Sequence, residues 1–133
     1  MLIVETPADY DQLLDFVSVQ KPPIPGAIKK HFIKEAIHHR PLNQIIFKHI
    51  RSAWGAEPLE VLLKDLSVPT LILWGKRDRV LHVSGASILN AVMPKSSKVI
   101  MENVGHVPML EKPQASATFY LDFLGKSIRQ KND

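Results

Sequence analysis

The chain has 133 residues, a formal net charge of +4, 45% hydrophobic and 23% charged residues, ordinary values for one globular core that buries roughly two-thirds of its unfolded surface. It has no cysteine, which excludes disulfides, thiolate metal sites and a cysteine nucleophile. No apolar run approaches the roughly 20 residues that cross a bilayer, and the opening Met1-Leu-Ile-Val-Glu-Thr-Pro7 lacks the basic start of a signal peptide, so a cytoplasmic protein with a solvated basic surface is expected, not a nucleic-acid binder.

Residues 1 to 56 read as helices only. Thr6 is placed to N-cap a first helix, with Pro7 at its first position and Asp9 at the third. Tyr10, Leu13, Leu14 and Val17 then fall on one face. Lys21-Pro-Pro-Ile-Pro-Gly26 cannot continue a helix and reads as a linker. A second helix is expected from Ala27 to His39, with Ile28, Phe32, Ala36 and Ile37 as its stripe and Lys29, Lys30, Lys34, His38 and Arg40 as a basic face. Pro41 should break it. A third, from Leu42 to Trp54, would bury Leu42, Ile45, Ile46 and Ile50 and stop at Gly55. These stripes need a surface to sit on.

From Glu57 the pattern changes. Pro58 opens a helix with Leu59, Leu62, Leu63 and Leu66 inward, ended by Ser67-Val-Pro69. Thr70 to Trp74 is an uninterrupted apolar strand of the kind buried on both faces of a parallel sheet. Val83 to Val92 reads as a helix, Lys98 to Met101 as a second strand, and Pro113 to Arg129 as a long helix with Ala117, Tyr120, Leu121, Leu124 and Ile128 inward. This is one β-α-β unit with a right-handed crossover. Two parallel strands leave two unpaired edges. Leu2 to Val4 is the one further strand candidate, so the chain reads as the end of a larger protein.

The chemistry lies beyond the strand ends. Leu71-Ile-Leu-Trp-Gly-Lys-Arg-Asp78 is a strand whose turn presents an acid; 28 residues later Gly105-His106 follows the second strand and presents a histidine. Adjacent parallel strands would bring the two side by side, where α/β sheets place their chemistry. An Asp bound to one imidazole nitrogen fixes the tautomer and leaves the other free to take a proton from a hydroxyl. Taken singly, His106 reads as a loop histidine and Asp78 as a turn former. His82 is a rival partner for Asp78 or a cap of the next helix. Ser84 and Ser87 read as helix-start residues rather than nucleophiles. No serine stands in a Gly-x-Ser-x-Gly setting. Neither a metal site among His31, His38, His39 and His49 nor a phosphate loop is expected, and no cofactor is implied.

Val68-Pro-Thr-Leu-Ile-Leu-Trp-Gly-Lys-Arg-Asp78-Arg-Val resembles the acid-bearing strand and turn of the α/β-hydrolase fold. Val104-Gly-His106-Val-Pro-Met-Leu-Glu111-Lys-Pro resembles its catalytic-histidine loop. The resemblance covers residues 58 to about 125 and extends, through Thr6-Pro-Ala-Asp and the helices after it, toward the monoacylglycerol lipase and esterase branch. It implies an α/β fold: residues 1–56 as the last part of a helical cap and 57–133 as the C-terminal part of the core. It makes Asp78 the triad acid and His106 the general base. It places Val107 and Met109 near the acyl pocket and Ile24 and Phe32 at its entrance. It also implies a small ester or lipid substrate and a serine supplied from sequence not present here, so that the chain alone is expected to be inactive. Two alternatives stay open: a non-catalytic interaction module that keeps the hydrolase C-terminus, and a hydrolase of C–C bonds in ring-fission products. The expected partners are the missing hydrolase portion or a second copy at the open sheet edge, with peripheral membrane contact through the basic helix as an addition.

Overall fold

The computed structural model describes residues 2–52 and 58–132. It divides into two compact units, Met1–Phe16 with Lys21–Ala56 and Val17–Gln20 with Glu57–Asp133.

Unit 1 holds α1 (Pro7–Val17, whose last residue belongs to unit 2), α2 (Gly26–His38) and α3 (Arg40–Ser52). The start of α1 is the expected capping box. The Asp9 N–H donates to Thr6 Oγ1 at 3.3 Å, while Asp9 Oδ2 accepts from the Thr6 N–H at 2.8 Å and the Thr6 hydroxyl at 2.9 Å. Those bonds, the Thr6 hydroxyl first, hold the Asp9 carboxyl below its ordinary value. Pro41 does not separate α2 from α3 by itself; it lies in the first turn of α3, where its missing N–H costs no intrahelical bond. Val4 and Tyr10 are buried, and Leu2–Val4 is not a strand. Exposed ion pairs join Lys29 to Asp11 at 2.5 Å and Arg40 to Glu5 at 2.8 Å. The apolar stripes remain open: Ile28, Phe32, Leu42, Ile45, Ile46 and Ile50 are all exposed. Trp54 and Gly55 lie outside the described residues.

Unit 2 runs α4 (Leu59–Leu63), β1 (Thr70–Gly75), α5 (Ser84–Val92), β2 (Ser96–Met101), α6 (Pro108–Glu111) and α7 (Pro113–Asn132). β1 and β2 pair in parallel, from Thr70 opposite Ser96 to Gly75 opposite Met101. Ile72, Ala86 and Met93 form the core, with Leu63, Trp74, Leu89, Val92 and Ile100 packed on it. Trp74 and Leu73 are half-buried rather than enclosed on both faces, and β2 is the one strand beside β1 among the described residues.

Two expectations about packing are corrected. α4 is little more than one turn, so Leu63 alone reaches the core, while Leu59, Leu62 and Leu66 stay exposed. In α7 the buried face is centred on Ser116, with Ala115, Phe119 and Phe123 half-buried; of the expected stripe Leu124 is half-buried too, while Ala117, Tyr120 and Leu121 point outward. The Ser116 hydroxyl donates to the Pro108 carbonyl at 2.9 Å, which satisfies it in this buried face. The Ile128 side chain lies outside what is described. Among the described residues no helix is long and apolar enough to cross a membrane.

Candidate active site

The C-terminal ends of β1 and β2 are joined by main chain. The Lys76 N–H donates to the Met101 carbonyl and the Arg77 N–H to the Val104 carbonyl, both at 2.9 Å. Contact is this close because the last residue of β1 and the residue facing it in the loop after β2 are both glycine. A Cβ on Gly75 would lie 1.9 Å from the Gly105 carbonyl oxygen and 2.5 Å from that of Val104, distances that no side chain tolerates.

This seam brings the acid and the base together. Asp78 Oδ2 lies 2.8 Å from His106 Nδ1. The other carboxylate oxygen, Oδ1, accepts from the Val80 N–H at 2.7 Å and the Leu81 N–H at 3.0 Å. The turn thus fixes the carboxylate through one oxygen and leaves the second for the ring. Because an ionised carboxylate only accepts, Nδ1 carries the hydrogen, and Nε2 is the free nitrogen. The Asp78 side chain is 4% exposed and that of His106 is 35% exposed, so the acid is shielded while the base remains within reach. Burial alone would raise the Asp78 carboxyl. The His106 hydrogen bond, the Leu81 and Val80 amides and the His106 charge outweigh it and hold the group below the ordinary carboxylate value.

The pair opens into a cavity of 170 Å³ lined by Leu73, Trp74, Gly75, Asp78, Leu81, His106 and Pro108. Its apolar walls with one acid–base pair suit an uncharged substrate group. Neither Val107 nor Met109 lines this cavity; Val107 is half-buried and Met109 is 59% exposed. Ile24 and Phe32 belong to unit 1, the first half-buried and the second 46% exposed. His82 does not compete for Asp78: its Nδ1 lies 2.8 Å from the Ser84 hydroxyl and accepts from the Ser84 N–H, at the start of α5. Among the described residues no group of three or more His, Asp or Glu side chains is placed to hold a metal ion.

One residue of the site had no role assigned from sequence. Glu111 is 7% exposed and takes three backbone N–H groups: Gly105 on Oε1 at 2.8 Å, and Val19 and Gln20 on Oε2 at 2.7 and 2.9 Å. This is why Val17–Gln20 sorts with unit 2 rather than with the helices around it. The available signal was a lone carboxylate inside the apolar run Val107-Pro-Met-Leu-Glu111, since a buried acid requires donors.

No family model matches the sequence. The chain is 33% identical to the monoacylglycerol lipase ABHD6 of Rattus norvegicus over 99% of its own length and 39% of that protein. It is 30% identical to Lipase 3 of Moraxella sp. over 92% of its length and 38% of that protein. Among solved structures, a membrane phospholipase A described as a bacterial virulence factor superposes with a TM-score of 0.84 at 43% identity, covering 94% of this chain and 40% of the other. Lip1 of Acinetobacter baumannii superposes with a TM-score of 0.89 at 32% identity, covering 99% and 45%.

The chain has the α/β-hydrolase fold. Its relatives are lipases and monoacylglycerol lipases, and the two parallel strands with their flanking helices are the C-terminal portion of that fold. The chain spans about two-fifths of the length of the curated relatives it matches.

Proposed function

We propose that this chain is the acid-and-base portion of a serine hydrolase that cleaves carboxylic esters of acyl chains, monoacylglycerols among them. The observation that carries the reading is the 2.8 Å contact between Asp78 and His106, with the acid buried and Nε2 unpartnered among the described residues. The names of the relatives supply the substrate class.

The chemistry is as follows. Nε2 of His106 accepts the proton of a serine hydroxyl supplied by the rest of the fold as the serine oxygen attacks the ester carbonyl. Asp78 holds the ring in the tautomer that leaves Nε2 free and stabilises the imidazolium. The proton then passes from Nε2 to the departing alcohol oxygen as the ester C–O bond breaks. Water repeats the sequence on the acyl-serine and releases the acid. Without the serine and its oxyanion donors, the 133-residue chain does not turn over esters at an enzymatic rate.

The test begins with the coding DNA ahead of Met1, read in frame for a strand, Gly-x-Ser-x-Gly and a helix. The protein encoded by the whole frame is then assayed on p-nitrophenyl esters and monoacylglycerols. Turnover that falls about 10⁴-fold in kcat in the Asp78→Asn variant is the expected result. Undiminished turnover in that variant removes Asp78 from the role, and a whole-frame protein inert on all these esters overturns the reading.

A further inference from the structure

The peptide that carries His106 is held on both sides by the short Val17–Gln20 segment. The His106 N–H donates directly to the Val17 carbonyl at 2.7 Å. The preceding N–H, of Gly105, reaches the same segment through Glu111, whose other oxygen takes the Val19 and Gln20 amides. Space at Gly105 is exhausted: a Cβ there would lie 2.5 Å from the Val17 oxygen, 3.0 Å from Glu111 Oε1 and 3.2 Å from the Val19 nitrogen.

We propose that Glu111 is a positioning residue for His106. Its carboxylate clips the Gly105–His106 loop to Val17–Gln20, so the imidazole meets Asp78 correctly only while that segment is docked. The inference rests on His106 being the general base, but the clip itself requires neither nucleophile nor substrate.

The chemistry of the clip is specific to a carboxylate. Three N–H donors converge on two oxygens, and among the described residues no Lys or Arg shares them. An amide of the same shape offers one acceptor and one NH₂, so in Glu111→Gln at least one backbone N–H faces another donor in a buried place. The loop then relaxes, and with it the ring. A shift of about 1 Å in a catalytic group costs on the order of 10²-fold in rate, so a residue that never touches substrate can govern the base.

The experiment is NMR on the full 133-residue chain. It follows the low-field His106 Nδ1 proton, which reports the bond to Asp78, together with amide exchange at Gly105, Val19 and Gln20. In the wild type these three amides are expected to exchange as one unit, within about tenfold of each other, as members of one cooperative opening do. In Glu111→Gln all three are expected to exchange at least about tenfold faster, the scale of one lost charge-assisted hydrogen bond, and the Nδ1 proton is expected to broaden or vanish. Glu111→Asp, which keeps the charge and shortens the arm, should give an intermediate loss. Ile72→Val, which weakens the core away from the clip, should leave the Nδ1 proton in place. The proposal is overturned if the Nδ1 proton persists unchanged in Glu111→Gln while Val19 and Gln20 open. It also fails if Ile72→Val erases that proton as fully. If the Gln variant does not fold, the wild-type exchange rates decide: three unrelated rates overturn the clip, one common rate supports it. None of these signals depends on esterase activity, so failure of the hydrolase reading is seen separately.

Discussion

At Asp78 one carboxylate serves two partners, and the pH dependence follows. The group titrates below its unfolded value of about 3.9 because the native His106 ring and the Leu81 and Val80 amides favour its charged form. A depressed acid contributes stability that is complete above the unfolded pKa and is lost as pH falls through the folded one. Thermal unfolding of unit 2 should therefore hold its midpoint from neutrality to about pH 4, as far as this group governs it, and drop below that. The Asp78→Asn chain should lack that part of the acid drop. An equal drop in both proteins would assign the acid sensitivity elsewhere. Two glycines make an opposed pair. Gly26, with nothing within 4 Å of its missing Cβ at the start of α2, should accept alanine with a gain of up to about 1 kcal/mol. Gly75→Ala places a methyl inside the Gly105 carbonyl and should cost several kcal/mol. Denaturant unfolding of the two variants measures both.

Among the elements, local chemistry was legible and depth of burial was not. Thr6, Pro7 and Asp9 gave the start of α1 because capping is settled within four residues. Thr6→Ala should lower the stability of that helix by about 1 kcal/mol, read as lost helical circular dichroism on heating. The strands were legible from apolar runs bounded by Pro69 and by turn residues, though β2 begins at Ser96 rather than Lys98. Helix faces were less so. The apolar spacing of α7 puts Tyr120 and Leu121 on its inward stripe, yet these are 55% and 64% exposed. Periodicity fixes a spacing of residues but not which of two neighbouring stripes meets the sheet. Here the buried Ser116 hydroxyl, satisfied at Pro108, belongs to the face that does. Asp78 and His106 were legible because both follow a strand. Glu111 was not, since its partners Val19 and Gln20 lie 92 and 91 residues away and backbone amides leave no mark in a sequence.

For the molecule as a whole, the balance of buried and open apolar surface sets behaviour in solution. Unit 2 keeps Leu59, Leu62, Leu66, Val68, Met109, Leu110 and Leu121 exposed around a sheet of two strands. Unit 1 keeps open the stripes of α2 and α3. So much uncovered apolar surface is rare on a monomer. The chain studied alone should associate as its concentration rises, with a sedimentation coefficient that climbs and then falls when mild denaturant is added. A coefficient independent of concentration would mean that these side chains find cover within one chain. The seam between Gly75 and Gly105 has a different consequence. Because main chain meets main chain there, the spacing of the two strand ends is a dimension of the polypeptide itself, not of any side chain packed between them. Flanking positions such as Lys76, Arg77 and Val107 are free to drift without altering that spacing. Tolerance along the seam is thereby narrowest at Gly75, where not even a single methyl group fits, while the ring itself still depends on the carboxylate of Glu111 behind its loop.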